Sequence, residues 1–101
     1  MAIAEVSVVP LGTKTPSVSQ YVARAIEVLD REKDMKYEMT AMGTIMEGDL
    51  DRILAVVKKM HESVLGKGVV RVLTTIKIDD RCDQPQTMKG KLDSVRKKLQ
   101  A

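Results

Sequence analysis

Residues Val70 to Arg81 read Val-Arg-Val-Leu-Thr-Thr-Ile-Lys-Ile-Asp-Asp-Arg. In an extended chain, successive side chains point to opposite faces. Val70, Val72, Thr74, Ile76 and Ile78 therefore share one side, and Arg71, Leu73, Thr75, Lys77 and Asp79 the other. The first side suits a core. The second is polar, yet Leu73 and Thr75 sit among its charges. Ile3 to Leu11 repeats the pattern, with Ala4, Val6 and Val8 on an apolar side and Ile3, Glu5, Ser7 and Val9 on a mixed one. A chain with two such strands is constrained to a sheet with one buried face and one mixed face, and the mixed face calls for a second partner.

The segments between these strands read as helices and a hairpin. After Gly12-Thr13-Lys14-Thr15-Pro16 a helix begins, with Ser17 and Gln20 at capping-box spacing and Thr15-Pro16 as a competing start. Val18, Val22, Ala25, Ile26 and Leu29 form its apolar face, and it ends between Asp30 and Asp34. Met35 to Met42 is a second strand, Gly43 the reversal and Thr44 to Glu47 a third strand. Asp49 is placed to cap a second helix. Leu50, Ile53, Leu54, Val57, Met60, His61, Val64 and Leu65 form that helix's inner face, and Gly66 and Gly68 close it. A loop with Pro85 follows the last strand. A final helix then carries the stripe Met88, Leu92, Val95 and Leu99. The order β-α-β-β-α-β-α predicts an α+β, ferredoxin-like βαββαβ domain with an added C-terminal helix. Its antiparallel sheet has the order 4-1-3-2, both main helices lie on one face, and the other face is open. Glu5 then faces Lys77 and Ser7 faces Thr75.

At 101 residues a single domain, 1–101, is expected. With two Tyr, no Phe and no Trp, the core must be built from Val, Ile, Leu and seven Met. Such a core is adaptable and lacks large rigid anchors, so a domain of this size gains from oligomerisation. The net charge of +3 comes largely from Lys89, Lys91, Arg96, Lys97 and Lys98, a solvated face whose cations complement the helix dipole. Neither outer strand face carries an aromatic residue, which argues against reading single-stranded nucleic acid by base stacking. The lone Cys82 excludes an intrachain disulfide, suits a reducing, cytoplasmic setting and makes a metal site improbable. No apolar run approaches the ~18 residues of a membrane span. The chain reads as soluble, with no membrane or nucleic-acid partner.

No P-loop, Gly-x-Ser-x-Gly or His-Glu-x-x-His pattern occurs, so no catalysis is expected. The single histidine, His61, lies on the inner face of the second helix. Thr74 also points inward, and so does Thr40 or Thr44, depending on the hairpin register. Inward polar groups need partners. They satisfy one another, hold water or line a small-molecule pocket.

Val9-Pro-Leu-Gly-Thr-Lys-Thr-Pro-Ser-Val-Ser19, Met42-Gly-Thr-Ile-Met-Glu-Gly48, Lys59-Met-His-Glu62 and Arg71 to Arg81 together resemble the small thiamine-binding protein family, the MTH1187/YkoF-like proteins. The resemblance spans nearly the whole chain. It implies a ferredoxin-like subunit, a homotetramer formed through sheet faces, and binding of thiamine or its hydroxymethylpyrimidine moiety as a ligand rather than a cofactor. Thiamine joins a cationic thiazolium to an aminopyrimidine. The candidate ligand-binding residues are Ser17, Thr44, Glu47, His61 and Thr74. Glu47 supplies a carboxylate for the amino group or the ring charge. Ser17 and Thr44 supply hydroxyls, and Ser17 lies near a helix N-terminus, where free N–H groups suit a polar ligand edge. His61 and Thr74 complete a pocket beneath the second helix. Tyr21 is placed to edge it, and Met39, Met42 and Met46 to pack against a ring. Two rival readings follow from the fold: an ACT-like regulatory module for another metabolite, and an acylphosphatase-type enzyme dependent on Lys14.

Overall fold

The computed structural model describes residues 1–100. Seven elements follow in order: β1 (Ala2–Pro10), α1 (Ser19–Arg31), β2 (Lys36–Thr40), β3 (Gly43–Gly48), α2 (Leu50–Val64), β4 (Val72–Asp80) and α3 (Met88–Gln100). The strands form one antiparallel sheet in the order β2-β3-β1-β4, the expected arrangement read from the other edge. Glu5 faces Lys77 and Ser7 faces Thr75, as the alternation predicts. The Glu5 and Lys77 charges lie 3.9 Å apart, a cross-strand pairing that stabilises a sheet modestly.

β1 sorts the molecule into two sides. Ala2, Ala4, Val6 and Val8 are buried beneath α1 and α2, together with Met46, Ile53, Met60 and Val64. The same registers put Ile3, Glu5, Ser7 and Val9 on the opposite face, beside Ile45, Glu47, Leu73, Thr75 and Lys77. No described helix lies flat on that face. α3 starts at its edge and has no buried residue. The molecule measures 51 × 28 × 20 Å, too long for a closely packed two-layer domain. None of the helices is long and apolar enough to cross a membrane among the described residues.

Several boundaries differ from expectation, each for a local reason. The N-cap of α1 is Val18, with no side-chain cap; neither Ser17 nor Thr15-Pro16 starts the helix. The hydroxyls before it are spent on their own loop: Thr13 donates to the Thr15 carbonyl at 2.8 Å, and the Ser17 and Ser19 hydroxyls lie 3.5 Å apart. Such local bonds compete with capping. Asp49 occupies the N-cap position of α2, but its side chain makes no cap bond. The inner face of α2 is also turned. Val56 is buried, whereas Leu54 and Leu65 are partly exposed. The stripe of Arg52, Val56 and Lys59 faces α1, where Arg52 and Lys59 reach Glu32 at 3.2 and 2.7 Å. The β2–β3 reversal falls at Ala41–Met42 rather than at Gly43. Thr40 secures it by donating to the Gly43 carbonyl at 2.9 Å and accepting from the Met42 N–H at 3.2 Å. Gly43 opens β3, and a Cβ there would lie 2.8 Å from the Val6 carbonyl oxygen of β1.

The Lys59 hydrogen bond, and the charges of Lys59 and Arg52, hold the Glu32 carboxyl below its ordinary value of 4.5. A depressed folded-state pKa adds stability above the unfolded value and loses it as pH falls through the folded one. Glu32→Gln is therefore expected to unfold at lower urea concentration than the parent chain at pH 7. The gap should close as both are titrated below pH 4.5, and chemical denaturation at stepped pH measures it.

Candidate functional site

The candidate side chains separate into three places. Thr44 pairs with Val6 across β1 and with Met39 across β2, which puts it on the helix-covered side of the sheet. It is only 5% exposed and lines a cavity of about 290 Å³. The first two turns of α1 roof this cavity through Val18, Val22 and Ala25; β1 forms its floor through Val6 and Val8; the β2–β3 hairpin closes its outer side through Met39 and Met42. No ionisable side chain lines it. The Thr44 hydroxyl makes no side-chain hydrogen bond among the described residues, and it is not sealed off from the cavity. Ser7 points to the other face by register, and Thr40 is used in the hairpin. Thr44 is thus the free side-chain hydroxyl in an otherwise apolar chamber. It can donate one hydrogen bond and accept others.

His61 and Thr74 form a pair of their own. The His61 Nδ1 and Thr74 Oγ1 atoms lie 2.6 Å apart, tying α2 to β4. Neither lines the cavity around Thr44. The inward histidine has found the partner that burial demands. Ser17 is exposed on the loop before α1, near the cavity roof but not in its wall.

Glu47 lies on the opposite face. It pairs with Ile3 and Lys36, whose side chains alternate away from α1 and α2. It is 5% exposed, and its carboxylate accepts the Met88 N–H of α3 at 2.7 Å. The Lys36 ammonium lies 4.0 Å from its other oxygen. A buried carboxylate at the start of a helix satisfies a free N–H and favours the positive end of the dipole. Glu47 therefore anchors α3. A second tether joins Lys91 to Asp79, and the hydrogen bonds from Lys91 and Gln86 pull the Asp79 carboxyl below its ordinary range.

Both tyrosines are occupied elsewhere. The Tyr37 hydroxyl donates to Asp30, which pushes its pKa up, and the Arg24 guanidinium sits 5.2 Å over the Tyr21 ring. Tyr21 does not edge the cavity. A ring inside it would be held by aliphatic and thioether groups. Sequence reasoning missed Val18, Val22 and Ala25 as cavity walls, because their spacing marks only a buried helix face. Two wider depressions exist, one lined by Glu47, Met88 and Lys36 and another between β4 and α3. Both are more open to solvent and less apolar than the cavity beside Thr44. Among the described residues, no three His, Cys, Asp or Glu side chains converge to hold a metal ion.

Fold and cavity define a small ferredoxin-like domain with room for one compact molecule between helices and sheet. Comparison with known proteins places it further: the chain belongs to the thiamine-binding protein family, whose model matches residues 4–96. The UPF0045 protein YqgV of Bacillus subtilis is 47% identical over 103 residues, covering 99% of both chains. A UPF0045 protein of Methanothermobacter thermautotrophicus is 46% identical, over 98% of this chain and all of its own length. The crystal structure of the hypothetical protein MJ1052 from Methanocaldococcus jannaschii superposes with a TM-score of 0.84 at 49% identity, covering 94% of this chain and 95% of that one.

Glu47→Ala removes the acceptor of the Met88 N–H. The first turn of α3 is expected to lose hydrogen-exchange protection, and the chain to lose about 1–3 kcal/mol of stability. Amide exchange read at Met88 and Lys89 measures the first effect, and urea unfolding the second.

Proposed function

We propose that this protein binds thiamine, or its hydroxymethylpyrimidine moiety, without catalysing its conversion, and that the cavity beside Thr44 is the site. The observation that carries the reading is an uncharged, largely apolar chamber into which a buried threonine presents one free, accessible hydroxyl, in a chain of the thiamine-binding family. The neutral aminopyrimidine fits such a chamber. Thr44 donates to a ring nitrogen or accepts from the amino group, while Met39, Met42 and the valines cover the ring faces. The thiazolium cation stays at the mouth, because burying an uncompensated charge is costly. Glu47 lies across the sheet and gives this ligand no counter-charge within one chain. The vitamin is a ligand here, not a cofactor. Ser17 sits near the mouth, and His61 and Thr74 support the scaffold.

Titration calorimetry tests this. The pyrimidine alcohol and thiamine are expected to bind with similar affinity, and the thiazole alcohol alone not to bind. Thr44→Val should cost about 1–3 kcal/mol, roughly 5- to 150-fold in affinity. Glu47→Ala should leave affinity within about 2-fold, since Glu47 lies across the sheet from the chamber and shares no partner with it, and separated sites act nearly independently. No heat and no thermal shift with either pyrimidine compound would overturn the reading and favour an ACT-like regulatory module for a different metabolite.

The protein works as a homotetramer in the cytoplasm, assembled through the open sheet face. Two features support assembly through that face. Leu73 is 56% exposed on it next to Val9, with Ile45 and Ile3 further along the same face, and the α3 stripe of Leu92, Val95 and Leu99 is 50, 56 and 79% exposed. A 13-residue helix is marginal in water without packing. Light scattering on the parent chain should return the mass of four copies. Leu73→Asp should shift it to a smaller species, and a parent mass of one copy would defeat the assembly.

A further inference from the structure

The chain has seven methionines, and their environments divide sharply. Met35, Met46 and Met60 are 6, 0 and 2% exposed in the core. Met39 and Met42 are 65 and 84% exposed, and both line the cavity from the hairpin side. The remaining two do not line it: Met1 begins the chain, and Met88 sits at the start of α3. The two most accessible cavity-lining sulfurs thus form the lip of a chamber whose other side-chain walls are aliphatic, apart from Thr44 and Met60. We infer that Met39 and Met42 form an oxidative modification site that controls entry to this chamber; the inference rests on the chamber being the ligand site.

The chemistry is a two-electron oxygen transfer from a peroxide. A sulfur lone pair attacks the terminal peroxide oxygen, the O–O bond breaks and the sulfur–oxygen bond forms. The thioether becomes a sulfoxide, and hydrogen peroxide leaves as water. A sulfoxide reductase reverses it with two thiols, yielding the thioether, a disulfide and water. The modified side chain is polar and chiral, where the ring needs an apolar, polarisable surface. Burial keeps Met46 and Met60 out of reach, so the fold survives while the lip changes. The hairpin is suited to this because its turn is held by Thr40 and backbone groups, not by the methionine side chains.

The test uses the full chain, hydrogen peroxide and the pyrimidine alcohol. Peptide mass mapping after mild treatment is expected to find one added oxygen on Met39 and on Met42, with Met46 and Met60 unchanged. Affinity for the pyrimidine should fall about 10-fold and return after treatment with both sulfoxide reductases. In the double variant Met39→Leu, Met42→Leu, treated and untreated protein should bind alike. Full oxidation of both sulfurs with unchanged affinity would overturn the inference alone. So would a loss that persists in the double variant, or oxidation that reaches Met46 and Met60 first. Failure of the untreated parent chain to bind the pyrimidine would instead overturn the functional reading on which the inference rests.

Discussion

Everything in this molecule depends on the pairing of β1 with two neighbours at once. Nine of its residues pair with β4, and Ala2 to Val6 also pair with β3. With a side-chain period of two, a shift of one residue would move Ala4, Val6 and Val8 into water and bring Glu5 beneath the helices. The Glu5–Lys77 pair on one face and the Ala4–Met46–Ile78 row on the other specify the same register. The added cost of misplacing a charge makes that register strongly preferred over its neighbours.

Small side chains on the central strand set the shape of what lies above it. Ala2 and Ala4 let the helices approach at one end of the sheet, where Met46 and Ile53 fill the remaining space. Towards the hairpin, Val6 and Val8 meet Val22 and Ala25 of α1, and no aromatic residue is available to fill the gap. Gly43 contributes by passing close to the Val6 carbonyl, which draws the start of β3 against β1 and places Thr44 under α1. The cavity is thus a consequence of the composition. A core of aliphatic and thioether groups packs densely near its centre and leaves room where two elements diverge.

The fold was legible because β1 and β4 alternate cleanly and the helices carry apolar stripes of the right period. The order of elements then leaves few topologies. The turn of α2 was not legible. Leu54 and Val56 are both apolar and both border the stripe, and periodicity does not decide between them; in the fold Val56 is the buried one, on the side where Arg52 and Lys59 meet Glu32. Among the candidate site residues, His61 and Thr74 read correctly as inward, and mutual satisfaction is one of the three readings the sequence leaves open; periodicity cannot choose among them, since a contact between a helix and a strand thirteen residues apart leaves no trace in it. The structural role of Glu47 was not legible. An acid at the end of a strand, just before a helix, resembles a ligand group, yet its partner is a backbone N–H forty-one residues further along.

The position of Glu47 has a structural consequence that joins the two faces. β3 alternates Thr44 towards the cavity, Ile45 away, Met46 inward and Glu47 outward. One strand therefore lines the cavity at its start and anchors α3 at its end. α3 carries the exposed stripe, and Leu73 and Ile45 lie on the open face of the sheet. Cavity-facing and open-face side chains thus alternate along the same six-residue strand, separated only by the thickness of the sheet. A pleated strand held on both sides transmits little rotation, so filling the chamber does not by itself re-aim Glu47. In the proposed function, any coupling between occupancy and assembly runs through the strand's in-plane position, or through the hairpin that joins it to β2. This arrangement lets the cavity side and the open face be altered separately, with Thr44 and Met39 belonging to one and Glu47 and Leu73 to the other.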